Sequence, residues 1–425
     1  METTSESSQE SVARPISLAT VGRFLICDRQ AIVDMAANRH VVWLGLLLVL
    51  SAGFAREYDA EYLLREPWHL LLPLAASLAT SLILFLLLFV VAWVRSARPT
   101  FWSSYRAFLG VYWMTAPLAW FYAIPVERFL SEADAVRVNL LFLGIVSLWR
   151  VLLMIQIVAV VFRCQLAAAL MLVMLFADAV ALVMLRMAPF PILNIMGGIG
   201  LNESERALQE VACSVMLFGI VSAPIWALGS LAVLLRRNEH WKLHSAITQP
   251  GGPGIARGVW VCALGLLVLG LAILPVPQME QASRWRVERL LLAGRVSEGL
   301  SLMSSSGPDA FPPYWQPPPR RFYGETSPSM NEVVDALATD DVADWVQAVF
   351  WEKLSAGRHS PLRLEDMTDD QLERYVQFLS QTPDGKQVAQ RDSPIVEYIL
   401  KKEEEASEMT PRRRRLFERY LKSAE

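Results

Sequence analysis

Two charges stand where the sequence is otherwise apolar. Arg150 interrupts "LGIVSLWRVLLMIQIVAVVF", residues 143–162, and Asp178 interrupts "LAAALMLVMLFADAVALVMLRM", residues 166–187. A charge at the centre of a bilayer costs about 2.5–3.5 kcal/mol on insertion scales, so each needs a partner or a polar cavity. Only Arg163, Cys164 and Gln165 separate the two stretches, and Arg150 and Asp178 lie equally far from Cys164. In an antiparallel hairpin they share one depth, and the spacing predicts an ion pair. Gly144 and Ser147 on one helix, with Ala177 and Ala181 on the other, are small enough to allow close approach. Such a pair clamps the register of the hairpin or belongs to an ion or solute pathway. The remaining reading is no contact, with Arg150 snorkelling or facing another helix. Gln156 is the candidate for polar packing across the same helix.

Other candidates are weaker. His240 and His244 in "NEHWKLH" have the spacing of two metal ligands on one helical face. The HExxH acid is absent, however, because position 241 is Trp, and no Cys or Asp stands nearby as a third ligand. The four cysteines are far apart and form no CxxC pair. "PFPILNIMGGIGLNESE", 189–205, is a broken segment that reads as re-entrant or as an outer loop, and its glycines follow no strand. No hydrolase or nucleotide-binding motif is present. The sequence therefore nominates no catalytic residue, no cofactor and no metal site, and the expectation is a non-enzymatic protein.

The elements that must hold these residues are membrane spans. Of 425 residues, 54% are hydrophobic, gathered in long blocks rather than amphipathic periods, and the net charge is −3. Blocks at 41–55, 68–94, 108–124, 139–162, 166–187, 211–235 and 258–277 are candidate spans. The first is short enough to be half-spanning, and Pro117 interrupts the third. The fold class is all-α: a polytopic helical membrane bundle of six or seven spans over 41–278, with a C-terminal helical extramembrane domain over 279–425. Residues 1–20 read as a disordered start. Residues 21–40 read as one amphipathic helix at the membrane interface. Loops rich in Arg and Lys alternate with the acidic loops "REYDAEYLLRE", "VERFLSEADAVR" and "LNESERALQE". The positive loops mark a cytoplasmic face, which places the N-terminus inside and the tail outside. Arg284, Arg286 and Arg289, just after the last span, oppose that assignment.

The tail has soluble composition. The stretch from Gln281 reads as one helix, or as two with a break at Gly294, and a Pro/aromatic strap follows at 307–329 with Phe311, Tyr314, Trp315 and Tyr323. The strap wraps the helices or docks a partner. Helices are expected at Asn331–Ala338 and Asp340–Leu354, then after the capping box Thr368-x-x-Gln371, after Ser393-Pro394 and after Thr410-Pro411. Arg412–Arg415 read as a solvated face neutralised by Glu403, Glu404 and Glu405, with no nucleic-acid partner expected.

"DRQAI" at 28–32, "LSAGFAREYD" at 50–59, "EPWHLL" at 66–71 and "FPPYWQPPPR" in the tail resemble a family of uncharacterised bacterial multi-pass membrane proteins. The resemblance implies a bacterial inner-membrane setting and carries over no functional residue. "YRAFLGVYWMTAPLAWFYAIP" followed by "LWRVLLMIQIVAVVF" is similar to the helical core of Yip1-like membrane proteins, a similarity of fold alone. Two functions stand as expectations. One is a scaffold or accessory protein in contact with lipid and with a protein partner through 279–425. The other is a transporter or channel subunit using Arg150 and Asp178.

Overall fold

In a computed structural model, residues 15–57, 61–95, 100–187, 203–236, 241–244, 254–312, 315–320, 328–355, 361–382, 385–405 and 409–424 are described. Among them the fold is all-α. The one β-type contact is an isolated bridge between Ile16 and Ile255. The chain is a membrane protein. Five helices are long and apolar enough to cross a bilayer, and up to seven if each of two bent helix pairs counts as one span.

The chain divides into two compact units. The first comprises Met1–Arg128, Val138–Met184 and Ala212–Gln278; the second comprises Phe129–Arg137, Leu185–Val211 and Met279–Glu425.

The first unit opens with α1 (Leu18–Leu25) and α2 (Arg29–Ala37). One interfacial helix is expected at 21–40, and two are found. Asp28 takes the N-cap position of α2 and accepts from the Ala31 amide at 2.8 Å, and Cys27 before it has φ 67°. Phe24, Ala31, Ile32 and Met35 are buried in the same core as the spans, while Arg23 and Arg29 stay exposed. Trp149 donates its indole N–H to the Leu25 carbonyl at 2.8 Å, which ties the end of α1 to the long sixth helix.

Helix α3 (Val41–Glu57) follows α2 at a bend of 106°. Next come α4 (Leu71–Arg95), α5 (Phe101–Trp113), α6 (Glu132–Val161), α7 (Leu166–Met187), α8 (Glu203–Leu235) and α9 (Arg257–Ile273). Pro117 does break the third span. After α5 the chain runs as a 3-10 helix, Ala116–Ala123. Gly45 packs where a Cβ would meet the Trp113 Cβ at 2.7 Å, so α3 and the end of α5 touch backbone to backbone. Phe85 is fully buried among Phe101, Tyr105, Phe108 and Phe162, which gives this unit an aromatic centre.

The second unit is built on α10 (Pro275–Leu292), α11 (Val296–Ser306), α12 (Met330–Thr339), α13 (Asp344–Ser355), α14 (Asp369–Gln381), α15 (Gly385–Glu405) and α16 (Pro411–Ala424). The helix break falls at Gly294, which has φ 75°. Capping boxes start α12 at Ser329 and α14 at Thr368, and Thr410 caps α16 by accepting from the Arg413 amide at 3.1 Å. Ser393-Pro394 departs from expectation, because α15 runs through it. A proline removes the donor that its i−4 carbonyl needs, here that of Gln390. The Ser393 hydroxyl donates to that carbonyl at 2.9 Å and restores the missing bond.

Candidate functional site

Arg150 and Asp178 do not meet. The Arg150 guanidinium lies over the Tyr112 ring, 5.0 Å from its centroid, on the side of α6 that packs toward α5. The Tyr112 hydroxyl is 2.9 Å from Thr80 Oγ1 on α4, so the ring beneath the cation is itself held in place. Asp178 is buried and faces α8. The Ser222 hydroxyl donates to its Oδ2 at 3.0 Å. Among the described residues no ion pair joins the two, and the expected clamp is corrected on this point.

The reason lies in azimuth rather than depth. Gly144 and Ser147 are exposed, and a Cβ on Gly144 would meet nothing within 4 Å. The buried side of α6 is Val146, Leu153, Met154, Ile157 and Val158. Helix α7 finds its close neighbour in α8. A Cβ at Gly219 would stand 2.9 Å from Asp178 Oδ1, and one at Gly229 would meet the flexible Met171 side chain. The Ser230 hydroxyl donates to the Met171 carbonyl at 3.1 Å. Gly219, Ser222, Gly229 and Ser230 thus form the small-residue seam, and it lies on a helix pair other than the expected one. Gln156 is half-buried, and its amide makes no hydrogen bond among the described residues.

A second arginine joins this part of the bundle. Arg56, at the end of α3, lies 5.7 Å from the centroid of the Tyr122 ring, and Arg150 is also within electrostatic reach of Tyr122. Arg56 is exposed and Arg150 half-buried; cation–π contacts contribute about 0.5–1 kcal/mol at exposed sites and more where the cation is desolvated. Among the described residues neither guanidinium pairs with a carboxylate.

Of the histidine pair, His240 lies outside the described residues. The His244 ring nitrogen Nε2 is 3.3 Å from Arg163 Nη2. Burial first, and then the Arg163 guanidinium, holds this imidazole below the ordinary histidine range. A cation beside the ring does not suit a metal ligand. Residues 189–202 of the broken segment also lie outside the described residues.

In the strap, Tyr314 and Tyr323 lie outside the described residues, while Phe311 and Trp315 are placed. Phe311 is 5% exposed, stacks on Trp345 at 5.7 Å and contacts Trp315 at 4.7 Å. The Trp315 indole donates to Glu288 Oε1 at 2.8 Å, Arg320 pairs with Glu288 at 2.8 Å, and Lys353 donates to the carbonyls of Pro317 and Pro319. Both placed aromatics are used within the unit's own packing.

Sequence reasoning missed three constellations. The first is a buried polar knot in the second unit. Asp392 is fully buried, takes two bonds from Arg391 at 2.6 and 3.1 Å, and accepts from the Tyr420 hydroxyl at 3.3 Å. Arg391 also donates to the Leu354 and Ser355 carbonyls at the end of α13, groups that a helix terminus leaves open. Burial first, then nearby Tyr375 and Asp392, pushes the Tyr420 hydroxyl far up.

The second is a groove of about 850 Å³ in the same unit, lined by residues of α10 and α11 and by Thr339–Val342. Glu298, Asp340 and Asp341 give it three carboxylates, and Ser297, Ser301, Ser305 and Thr339 give it hydroxyls. Glu298 is paired with Arg295, which holds its carboxyl below the usual range. Asp340 Oδ2 is buried and has no hydrogen-bond partner among the described residues.

The third is Glu61, Glu66 and His69, whose ligand atoms all lie within 4.8 Å of one another. Its signal in the sequence was Glu66-x-x-His69, a spacing that puts two ligands on one side of a helical turn.

Comparison with known proteins finds no matching family model, no matching curated protein and no similar solved structure.

Proposed function

We propose that this chain is a membrane-anchored scaffold or accessory protein whose second unit takes a basic, extended segment of a partner protein. The observation that carries this reading is Asp340. A buried carboxylate oxygen without a donor is rare in a folded protein; Asp340 Oδ2 has none among the described residues, and Asp340 lines a groove together with Asp341 and Glu298. A guanidinium or ammonium with its neighbouring amides supplies what the groove lacks. The aromatic strap is not the docking element in this reading, since Phe311 and Trp315 pack inward.

The setting we propose is the bacterial inner membrane, with the N-terminus cytoplasmic and the tail extracytoplasmic. The resemblance to uncharacterised bacterial multi-pass proteins and the Arg/Lys-rich loops support it. The grouping of the acidic stretches Phe129–Arg137 and Leu185–Val211 with the tail in one compact unit supports placing the tail on the face opposite those loops.

The test uses full-length protein in detergent and two fluorescent peptides, one Arg/Lys-rich and one with each basic residue replaced by Glu. The basic peptide is expected to bind saturably, and Asp340→Asn with Asp341→Asn to weaken it about tenfold. Equal binding of both peptides, or an unchanged affinity in the double variant, contradicts the reading.

A second reading, a transporter or channel subunit, is favoured by Asp178 itself. Among the described residues its bonded partner is a serine, and intramembrane carboxylates often mark pathways. Solute or ion flux into proteoliposomes that disappears in Asp178→Asn would support transport; flux unaffected by the change would oppose it.

A further inference from the structure

We propose that Glu61, Glu66 and His69 form a binding site for one first-row divalent cation of the Zn²⁺ class, on the loop between α3 and α4. Nothing in the scaffold reading requires it.

Pro67 opens a 3-10 helix, Pro67–Leu70, with Glu66 at the N-cap position. With three residues per turn, positions i and i+3 of such a helix eclipse. Glu66 and His69 therefore project on the same side, and Glu66 Oε2 lies 3.4 Å from His69 Nε2. Glu61 comes from the preceding loop, with its Oε2 4.0 Å from the same nitrogen.

Those distances suit a metal. Donors about 2.1 Å from a tetrahedral ion stand about 3.4 Å apart. The Glu66–His69 separation already matches that edge. Glu61 has to close by a few tenths of an ångström, and its side chain, 44% exposed, has the freedom to do so. One imidazole with two carboxylates is a borderline set, which suits Zn²⁺, Fe²⁺ or Mn²⁺ better than the all-oxygen sets of Ca²⁺ and Mg²⁺.

The loop is braced from below. Gln278 is 2% exposed. Its amide donates to the Glu61 carbonyl at 2.8 Å, and its Oε1 accepts from the Leu64 amide at 3.3 Å. Leu63, between them, is buried against Phe54 and Leu274. The Glu66 amide donates to the Tyr62 carbonyl at 2.9 Å. The backbone carrying the donors is thus fixed by buried groups that lie outside the donor set, as the outer shell of a metal site requires.

The experiment is a Co²⁺ titration of the full chain in detergent after chelator treatment, followed by visible absorption, with Zn²⁺ as competitor. One equivalent of Co²⁺ is expected to bind and to be displaced by Zn²⁺. Glu66→Gln and His69→Ala are each expected to weaken it at least about tenfold. His69→Cys is expected to add a thiolate-to-cobalt charge-transfer band that the wild type lacks. That gain decides the matter even where a loss variant folds poorly. Absence of saturable binding in the wild type, affinity unchanged in Glu66→Gln and His69→Ala, or no new band in His69→Cys would overturn the proposal.

Discussion

Arg150 rests 5.0 Å from the ring centroid of Tyr112, across the α5–α6 contact, while Asp178 at matching distance from the hairpin turn hydrogen-bonds Ser222 on α8. The two intramembrane charges therefore hold two different helix contacts. A ring quadrupole and a hydroxyl each do part of what a counter-ion would do. The arrangement leaves α7 free to approach α8 along its glycine and serine seam.

That seam gives the first prediction. Ser222→Ala removes one interhelical hydrogen bond, and the expected loss is about 0.6 kcal/mol. Asp178→Asn keeps an acceptor for Ser222 and should cost less than Asp178→Ala. Gly219→Leu drives a side chain into Asp178 and Leu182, and overpacking of this kind costs about 1–3 kcal/mol. Thermal midpoints of the purified protein in detergent check the order: Gly219→Leu lowest, Ser222→Ala near the wild type.

In the second unit, Asp392→Ala leaves Arg391 and the Tyr420 hydroxyl without their buried carboxylate. Removing one member of a buried ion pair costs about 3–5 kcal/mol. Amide exchange in α15 and α16 of the full chain is expected to accelerate together, with the spans unaffected. Exchange unchanged from the wild type would show that the knot contributes nothing.

His244 gives a pH dependence. Its folded imidazole holds a proton less tightly than the unfolded one, whose value is 6.5. Between those two values the unfolded chain binds more protons, so stability rises with pH through that window. It is therefore lost on acidification below 6.5. The amides of Lys242 and His244, which donate to Phe162 and Val161 at 3.2 and 2.9 Å, should exchange faster at about pH 5.5 than at about pH 7.5, after correction for intrinsic rates. His244→Leu should remove the difference.

Span positions and several helix starts were legible because they depend on local runs of residues. The stretch 166–187 is α7 residue for residue, and Thr368-x-x-Gln371 caps α14. The partners of Arg150 and Asp178 were not legible. Counting from Cys164 fixes depth along a helix axis, and depth is all it fixes. Which face turns to which neighbour is decided by packing of the whole bundle, here by Gly219 and Ser222 on a helix more than 40 residues away in sequence. Ser393-Pro394 misled for a related reason. Proline looks the same at a helix start and inside a helix whose open carbonyl a neighbouring serine satisfies. Glu61 was hidden because nothing local shows that Gln278 holds its loop over the Glu66–His69 turn.

The separation of the two charges is tested most directly by paired double-mutant cycles on thermal stability, Arg150→Ala with Asp178→Ala and Arg150→Ala with Tyr112→Leu. The first cycle is expected to be additive within about 0.5 kcal/mol and the second to show coupling above that. Exchanging the charges, with Asp at 150 and Arg at 178, should restore nothing. Strong coupling in the first cycle, or recovery of folded protein by the exchange, would contradict the account.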